Sequence, residues 1–166
     1  MHIIIQNTNL VRGNSVVKNE TEQDVYFVKG KLKVFSPTRK KFINDLAGNT
    51  VFTIRNKWFR FLFNSAIIKD AQGNKMKLKS KMSFKTYYVL TGAGYNYSIG
   101  KNPDGYGLAI FKEEQVIATF NKHGSGFVND RFNVDYFNES DLPMVVAIII
   151  AFDNIRDKDK KDLYSN

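Results

Sequence analysis

The stretch DLPMVVAIIIAF, residues 141–152, restricts the fold more than any other part of the chain. Leu142 to Phe152 is eleven residues without a charge. As a helix the run is about 16 Å long, whereas crossing a bilayer takes about 30 Å of apolar helix. It is too short to span a membrane as a single helix. It is also apolar on every side, so a helix here must be covered all round by protein, and in a β-rich chain the place for it is the inside of a closed barrel. Asp141 stands where an N-cap would, Pro143 is tolerated in a first helical turn, and basic residues follow in NIRDKDKK, where the helix dipole favours them. The β-branched Val145, Val146 and Ile148 to Ile150 favour the competing reading, a buried strand.

The chain that must enclose this run has β texture from Val25 to about Tyr136. DVYFVKGKLKVF, KKFIND, TVFTIRN, SAIIKD, KMKLKS, KTYYVLTG, NYSIG, GLAIFK, VIATFN and RFNVDYF are short runs rich in β-branched and aromatic residues. Gly, Asn and Asp separate them every 8–12 residues or so. With one or two N-terminal strands they number about a dozen, which predicts an antiparallel barrel or sandwich. At 166 residues this is one domain with a sizeable core. We place the domain at residues 1–155 and read 156–166 as a charged, frayed C-terminal tail.

The turns repeat. FINDLAGNTVFTI (42–54) and IIKDAQGNKMKL (67–78) align with Asp45 over Asp70, Gly48 over Gly73 and Asn49 over Asn74, all at an offset of 25. A D-x-x-G-N turn between two alternating runs is hairpin chemistry. A further echo ends three strands in basic-x-Lys: Lys29/Lys31 in VYFVKGKL, Arg55/Lys57 in VFTIRNKW and Lys79/Lys81 in MKLKSKM.

This order of VYFVKGKL, FINDLAGNTVFTIRNKWFRFLF, IIKDAQGN and a late apolar helix resembles the LURP-one-related proteins of the tubby C-terminal-like superfamily, which also includes phospholipid scramblases. The likeness covers about Val25 to Ile155. It implies a closed, roughly 12-stranded antiparallel barrel around a central apolar helix, with Leu142–Phe152 as that helix. Tubby-type members bind phosphoinositides and scramblases act at membranes, but the residues that bind phosphoinositide in tubby find no matching positions here. The apolar run is shorter than the terminal segment of scramblases, and no D-x-[DN]-x-[DN]-G calcium loop is present.

Charge is the sharper functional signal. The net is +9, and residues 1–101 hold 18 basic and 5 acidic side chains against 7 and 11 in 102–166. A basic face of this kind attracts anionic partners: lipid headgroups, a phosphorylated ligand or nucleic acid. In KMKLKSKMSFK, Lys75, Lys77, Lys79 and Lys81 alternate with Met76, Leu78, Ser80 and Met82, so a strand puts all four charges on one face about 7 Å apart. KGKLK does the same with Lys29, Lys31 and Lys33. The candidate site is therefore a basic rim of Lys29, Lys31, Arg55, Lys57, Lys79 and Lys81 that binds anionic phospholipid or another phosphorylated ligand. The plain alternative is a solvated barrel exterior, protected from edge pairing by its lysines. Nucleic acid is the weaker partner. The 14 Phe, 8 Tyr and 1 Trp offer stacking, but no RNP-like motif or DNA-reading helix accompanies them. A structural or protein-interaction barrel is the third reading.

Enzymatic and cofactor chemistry find little to work with. There is no cysteine, so no disulfide, thiolate metal site or thiol nucleophile exists. The histidines are His2, near a terminus expected to be mobile, and His123 in KHGSGF, where a pairing with Ser125 lacks a carboxylate and an oxyanion hole. TGAGYNYSIG has neither G-x-G-x-x-G nor a P-loop ending. We expect no enzyme and no cofactor. MHIIIQNTNL has no basic n-region or cleavage site, which reads as cytoplasmic, with room for a peripheral role at a membrane. WFRFLF (58–63) is either an aromatic loop entering lipid, with Arg60 at the headgroups, or core; exposing four aromatics is costly, which favours core.

Overall fold

A computed structural model of the chain describes residues 1–9, 13–33, 36–56, 65–81, 87–123 and 131–163. Twelve strands follow one another around a closed antiparallel ring. They are β1 (His2–Asn9), β2 (Asn14–Asn19), β3 (Asp24–Lys33), β4 (Ser36–Asn44), β5 (Thr50–Asn56), β6 (Ser65–Asp70), β7 (Lys75–Lys81), β8 (Tyr87–Gly92), β9 (Tyr95–Lys101), β10 (Leu108–Lys112), β11 (Gln115–His123) and β12 (Arg131–Tyr136). β1 and β12 close the ring, from His2 opposite Asp135 to Gln6 opposite Arg131. Among the described residues, closure leaves no strand at an open edge of the sheet. The N-terminus is thus part of the wall, not a mobile end: His2 opens β1, its backbone N–H donates to Glu20 Oε1 at 2.6 Å, and its Nδ1 lies 2.8 Å from Asp135 Oδ1.

Strand alternation decides what faces in. Ile54, Ile68 and Met76 lie side by side on β5, β6 and β7, and Ala66, Leu78, Leu90 and Tyr97 do so one step along on β6 to β9. All seven are buried. Eight strands make a barrel that side chains alone can fill; twelve leave room for an element about 10 Å across. That element is α1 (Leu142–Leu163), entered through a 3-10 turn at Glu139–Asp141. Val145 to Ala151 are at most 1% exposed. Phe152 meets the edges of Tyr88 on β8 and Phe120 on β11, with ring centroids 5.1 and 5.6 Å apart, while Asn154 bonds Asn56 on β5. Contacts on such widely separated strands place the helix inside the ring. Burial on all sides outweighs the strand preference of its Val and Ile residues, each fully buried one stabilising by about 1.5–3 kcal/mol. The helix also runs further than expected: its backbone continues through the charged segment to Leu163 instead of fraying at residue 156.

The helix gives the barrel two distinct ends. It enters where the even-numbered strands finish, with Asp141 against Lys112 of β10, and its buried part ends where the odd-numbered strands finish, with Asp153 against Lys122 of β11. The repeated turns sit at the entry end and are built alike. Asp45 Oδ1 accepts from the Asn49 backbone N–H and Oδ2 from the Asn49 amide, at 2.8 and 3.1 Å; Asp70 and Asn74 repeat this at 2.8 and 2.8 Å. Gly48 and Gly73 hold φ of 87° and 94°, which a side chain rarely adopts. Among the described residues no helix is long and apolar enough to cross a membrane.

Candidate functional site

Of the six predicted basic residues, Lys29, Lys31, Arg55, Lys79 and Lys81 are exposed on the outer wall formed by β3 to β7. Lys57 lies outside the described residues, as do 58–63 and Ser125. Because β3, β5 and β7 run the same way, their C-terminal halves approach one end of the barrel together. The residues do not form a single ring. Lys31 is directly across from Lys40 and Lys40 from Arg55, making one row over three strands, and that row continues through Ile67 to Lys77. Lys29 begins the next row towards the entry end, which passes through Phe42 and Thr53 to Lys69 and Lys75. Lys79 and Lys81 lie one and two outward-facing steps beyond Lys77. The site is therefore a broad wall, with Lys40 and Lys69 belonging to it beside the residues singled out in the sequence.

Acidic groups are kept off this wall. Between Asp24 and Asp104 the chain contains only Asp45 and Asp70, and both are tied into their own turns at the entry end. The Asn49 side-chain hydrogen bond, helped by backbone N–H groups of Asn49, Ala47 and Gly48, holds the Asp45 carboxyl below its ordinary value against a smaller opposing effect of desolvation. The other entry-end turns carry Glu20, Glu22 and Asp24, then Glu113 and Glu114, then Glu139 and Asp141. Lys18 and Lys112 near that end pair with Asp24 and Asp141 at 3.5 and 3.1 Å. Among the described residues, Lys29, Lys31, Lys40, Arg55, Lys69, Lys75, Lys79 and Lys81 form no ion pair.

A second polar cluster, not foreseen from the sequence, lies inside the barrel. Asp153 accepts from Lys122 Nζ at 3.1 Å and lies 4.0 Å from Lys41 Nζ, and the Lys41 and Asp153 side chains are 3% and 4% exposed. Asn56 and Asn154 bond each other beside them. The cluster fixes the helix within its sheath. A hollow of about 340 Å³ lies elsewhere, over Asn96, Tyr97, Ser98, Phe111, Glu113 and Glu114 on β9, β10 and the turn after it. Its carboxylates give it the opposite sign to the lysine wall.

His123 is exposed at the end of β11, opposite Arg131. Among the described residues no three His, Asp or Glu side chains gather where they could hold a metal ion. What the wall offers is positive potential, delivered by long side chains from paired strands.

Comparison with known proteins returns no match among curated proteins and none among solved structures. A family model does match: that of the LURP-one-related proteins, over residues 2–153, the barrel and most of the buried part of its helix. The chain belongs to the LURP-one-related family, and its closed twelve-stranded barrel with a single helix is a tubby-like fold.

Proposed function

We propose that this domain binds anionic phospholipid headgroups, or another phosphorylated ligand, through Lys29, Lys31, Arg55, Lys57, Lys79 and Lys81. The observation that carries this reading is the row Lys31, Lys40 and Arg55, three cations side by side on neighbouring strands without an acidic residue among them. Strands stand about 4.8 Å apart, inside the Debye length of about 8 Å at physiological salt, so the three potentials add. At about 1 kcal/mol per lysine near an anionic surface, six cations supply at most about 6 kcal/mol, a Kd in the tens of micromolar. Such binding is reversible and salt-sensitive.

Nucleic acid gains no comparable support. The exposed large apolar side chains among the described residues are Met1, Leu46, Tyr95, Tyr106 and Phe137, none of them on the β3–β7 strands. Phe27 and Phe42 on the wall are half-buried, and Phe42 lies beneath the Lys40 ammonium, 4.8 Å from the ring centroid. Among the described residues, the surface that carries the charge offers no exposed stacking platform for bases.

The test is co-sedimentation with neutral and anionic vesicles over a salt series, comparing the natural chain with a Lys31→Glu/Arg55→Glu/Lys79→Glu variant whose circular dichroism and Tm show it folded. Pelleting with anionic vesicles only, lost in the variant and at high salt, is the expected result. A natural chain that stays in solution with anionic vesicles at low salt overturns the reading.

A further inference from the structure

The chemistry of the β3–β7 wall says more than that it is positive. Phosphate sites that recognise one headgroup use forked guanidinium groups and free backbone N–H groups in a concave nest. Among its described residues this wall has neither in quantity. Its described cations are lysines apart from Arg55, and a lysine is a flexible point charge with no fixed geometry. Where the registers run from β2 to β8 the β3–β7 backbones are paired on both sides and their N–H groups are committed to the ladders, and just past the end of the β2–β3 register the Gly30 N–H donates to Asn14 Oδ1 at 2.9 Å. The outer surface of a closed barrel is convex. Lys31, Lys40 and Arg55 directly oppose one another, as do Lys69 and Lys75, arrangements that repel until counter-charge arrives. Across five strands the cations cover about 19 Å, wider than one headgroup.

We propose, building on the lipid reading above, that the β3–β7 wall as a whole docks side-on against an anionic bilayer leaflet and responds to the leaflet's charge density, not to the structure of any one headgroup. Lys40, Lys69 and Lys75 take part with Lys29, Lys31, Arg55, Lys79 and Lys81. The acidic entry end favours this pose over an end-on one at that end, since Glu20, Glu22, Glu113, Glu114 and Glu139 are all exposed there.

The absence of cysteine makes the pose measurable with single labels. Thr53 faces out from β5, in the middle of the wall, and Thr119 faces out from β11, six places round the twelve-stranded ring and hence diametrically opposite. Thr53→Cys and Thr119→Cys, each carrying a polarity-sensitive fluorophore, are titrated with phosphatidylcholine vesicles containing phosphatidylserine or a phosphoinositide bisphosphate at matched total charge. The label at 53 is expected to shift with both vesicles at partition coefficients within about twofold of each other, and the label at 119 with neither. Lys40→Gln, Lys69→Gln and Lys75→Gln should each lower the partition coefficient about fivefold. A preference of about tenfold or more for the phosphoinositide at matched charge, one-to-one competition by soluble inositol trisphosphate, an equal response at 119, or tighter binding to a short DNA duplex than to vesicles would each overturn the proposal. Failure of both anionic vesicles to bind at low salt overturns the lipid reading itself, a different outcome from binding with headgroup preference.

Discussion

Asn56 and Asn154 hold each other inside the barrel: the Asn154 amide donates to Asn56 Oδ1 at 3.0 Å, and the Asn56 amide donates to the backbone oxygen of Asn154 at 2.9 Å. An apolar helix in an apolar sheath has little to fix its depth or rotation, because hydrophobic burial is non-directional. This reciprocal pair supplies direction. Asn56→Ala leaves the Asn154 amide and carbonyl without these partners, and a buried polar group so stranded costs about 1–3 kcal/mol. At about 2–4 °C per kcal/mol for a domain of this size, a Tm loss of several degrees is expected, read by thermal melting. A Tm unchanged within error would show that the pair does not hold the helix.

The two ends of the helix test how burial sets the worth of an ion pair. Asp153 is enclosed with Lys41 and Lys122, whereas Asp141 meets a Lys112 side chain that is 47% exposed. Removing one partner of a buried pair typically costs about 3–5 kcal/mol, and an exposed pair contributes about 0–1 kcal/mol. Asp153→Ala should therefore lower the denaturant midpoint far more than Asp141→Ala, with m unchanged in both. Equal losses would contradict the assignment of Asp153 as an enclosed charge.

The difference between these two aspartates also marks where the sequence stopped being legible. The strands, their closure around a helix and the twin turns could be read because each rests on a local pattern: alternation, D-x-x-G-N, and an apolar run too short for a bilayer. Asp153 and Asn154 follow that run directly, yet nothing local says whether they end the buried segment or extend it. Lys41 was hidden for a related reason. In the strand sequence RKKFIN each face of the alternation carries one lysine and one apolar residue, so parity alone cannot tell whether Lys40 with Phe42 or Lys41 with Ile43 faces in. Only the partner Asp153, distant in sequence, decides it. The basic wall was half legible: the residue spacing gave the faces of β3 and β7, but Lys40 and Lys69 joined it only through register between strands, which sequence spacing does not encode.

Lys40 sits between Lys31 and Arg55 in a row of like charges. Lys40→Glu turns that row into alternating signs, and cross-strand pairs of opposite charge are favourable by about 0.2–1 kcal/mol each. The substitution also forfeits the ammonium over Phe42, so the expected gain is about 1–3 °C in Tm at low ionic strength, fading in about 1 M salt. Vesicle binding should move the opposite way, falling at least fivefold or so. Stability gained as binding is lost would identify the lysine as kept for its potential and not for the fold. A variant less stable at low salt would mean that the row is already relieved by groups the wall itself provides.

Asp45 gives the fold a defined sensitivity to acid. Its carboxylate accepts from the Asn49 side chain and backbone, and these bonds favour the charged form, so its pKa in the folded chain lies below the ordinary 3.8. A group whose pKa is depressed on folding contributes stability that is fully present above its unfolded value and is lost as pH falls through the folded one. The natural chain should therefore exceed Asp45→Ala in Tm by a constant margin from neutral pH down to the ordinary carboxylate range. Below 3.8 the margin should narrow as the carboxylate is protonated and its two acceptor bonds weaken. Paired thermal melts of the two proteins from neutral pH downwards measure this. A margin that begins to close well above the ordinary carboxylate range would mean that another group controls the turn, since a depressed pKa can act only on the acid side.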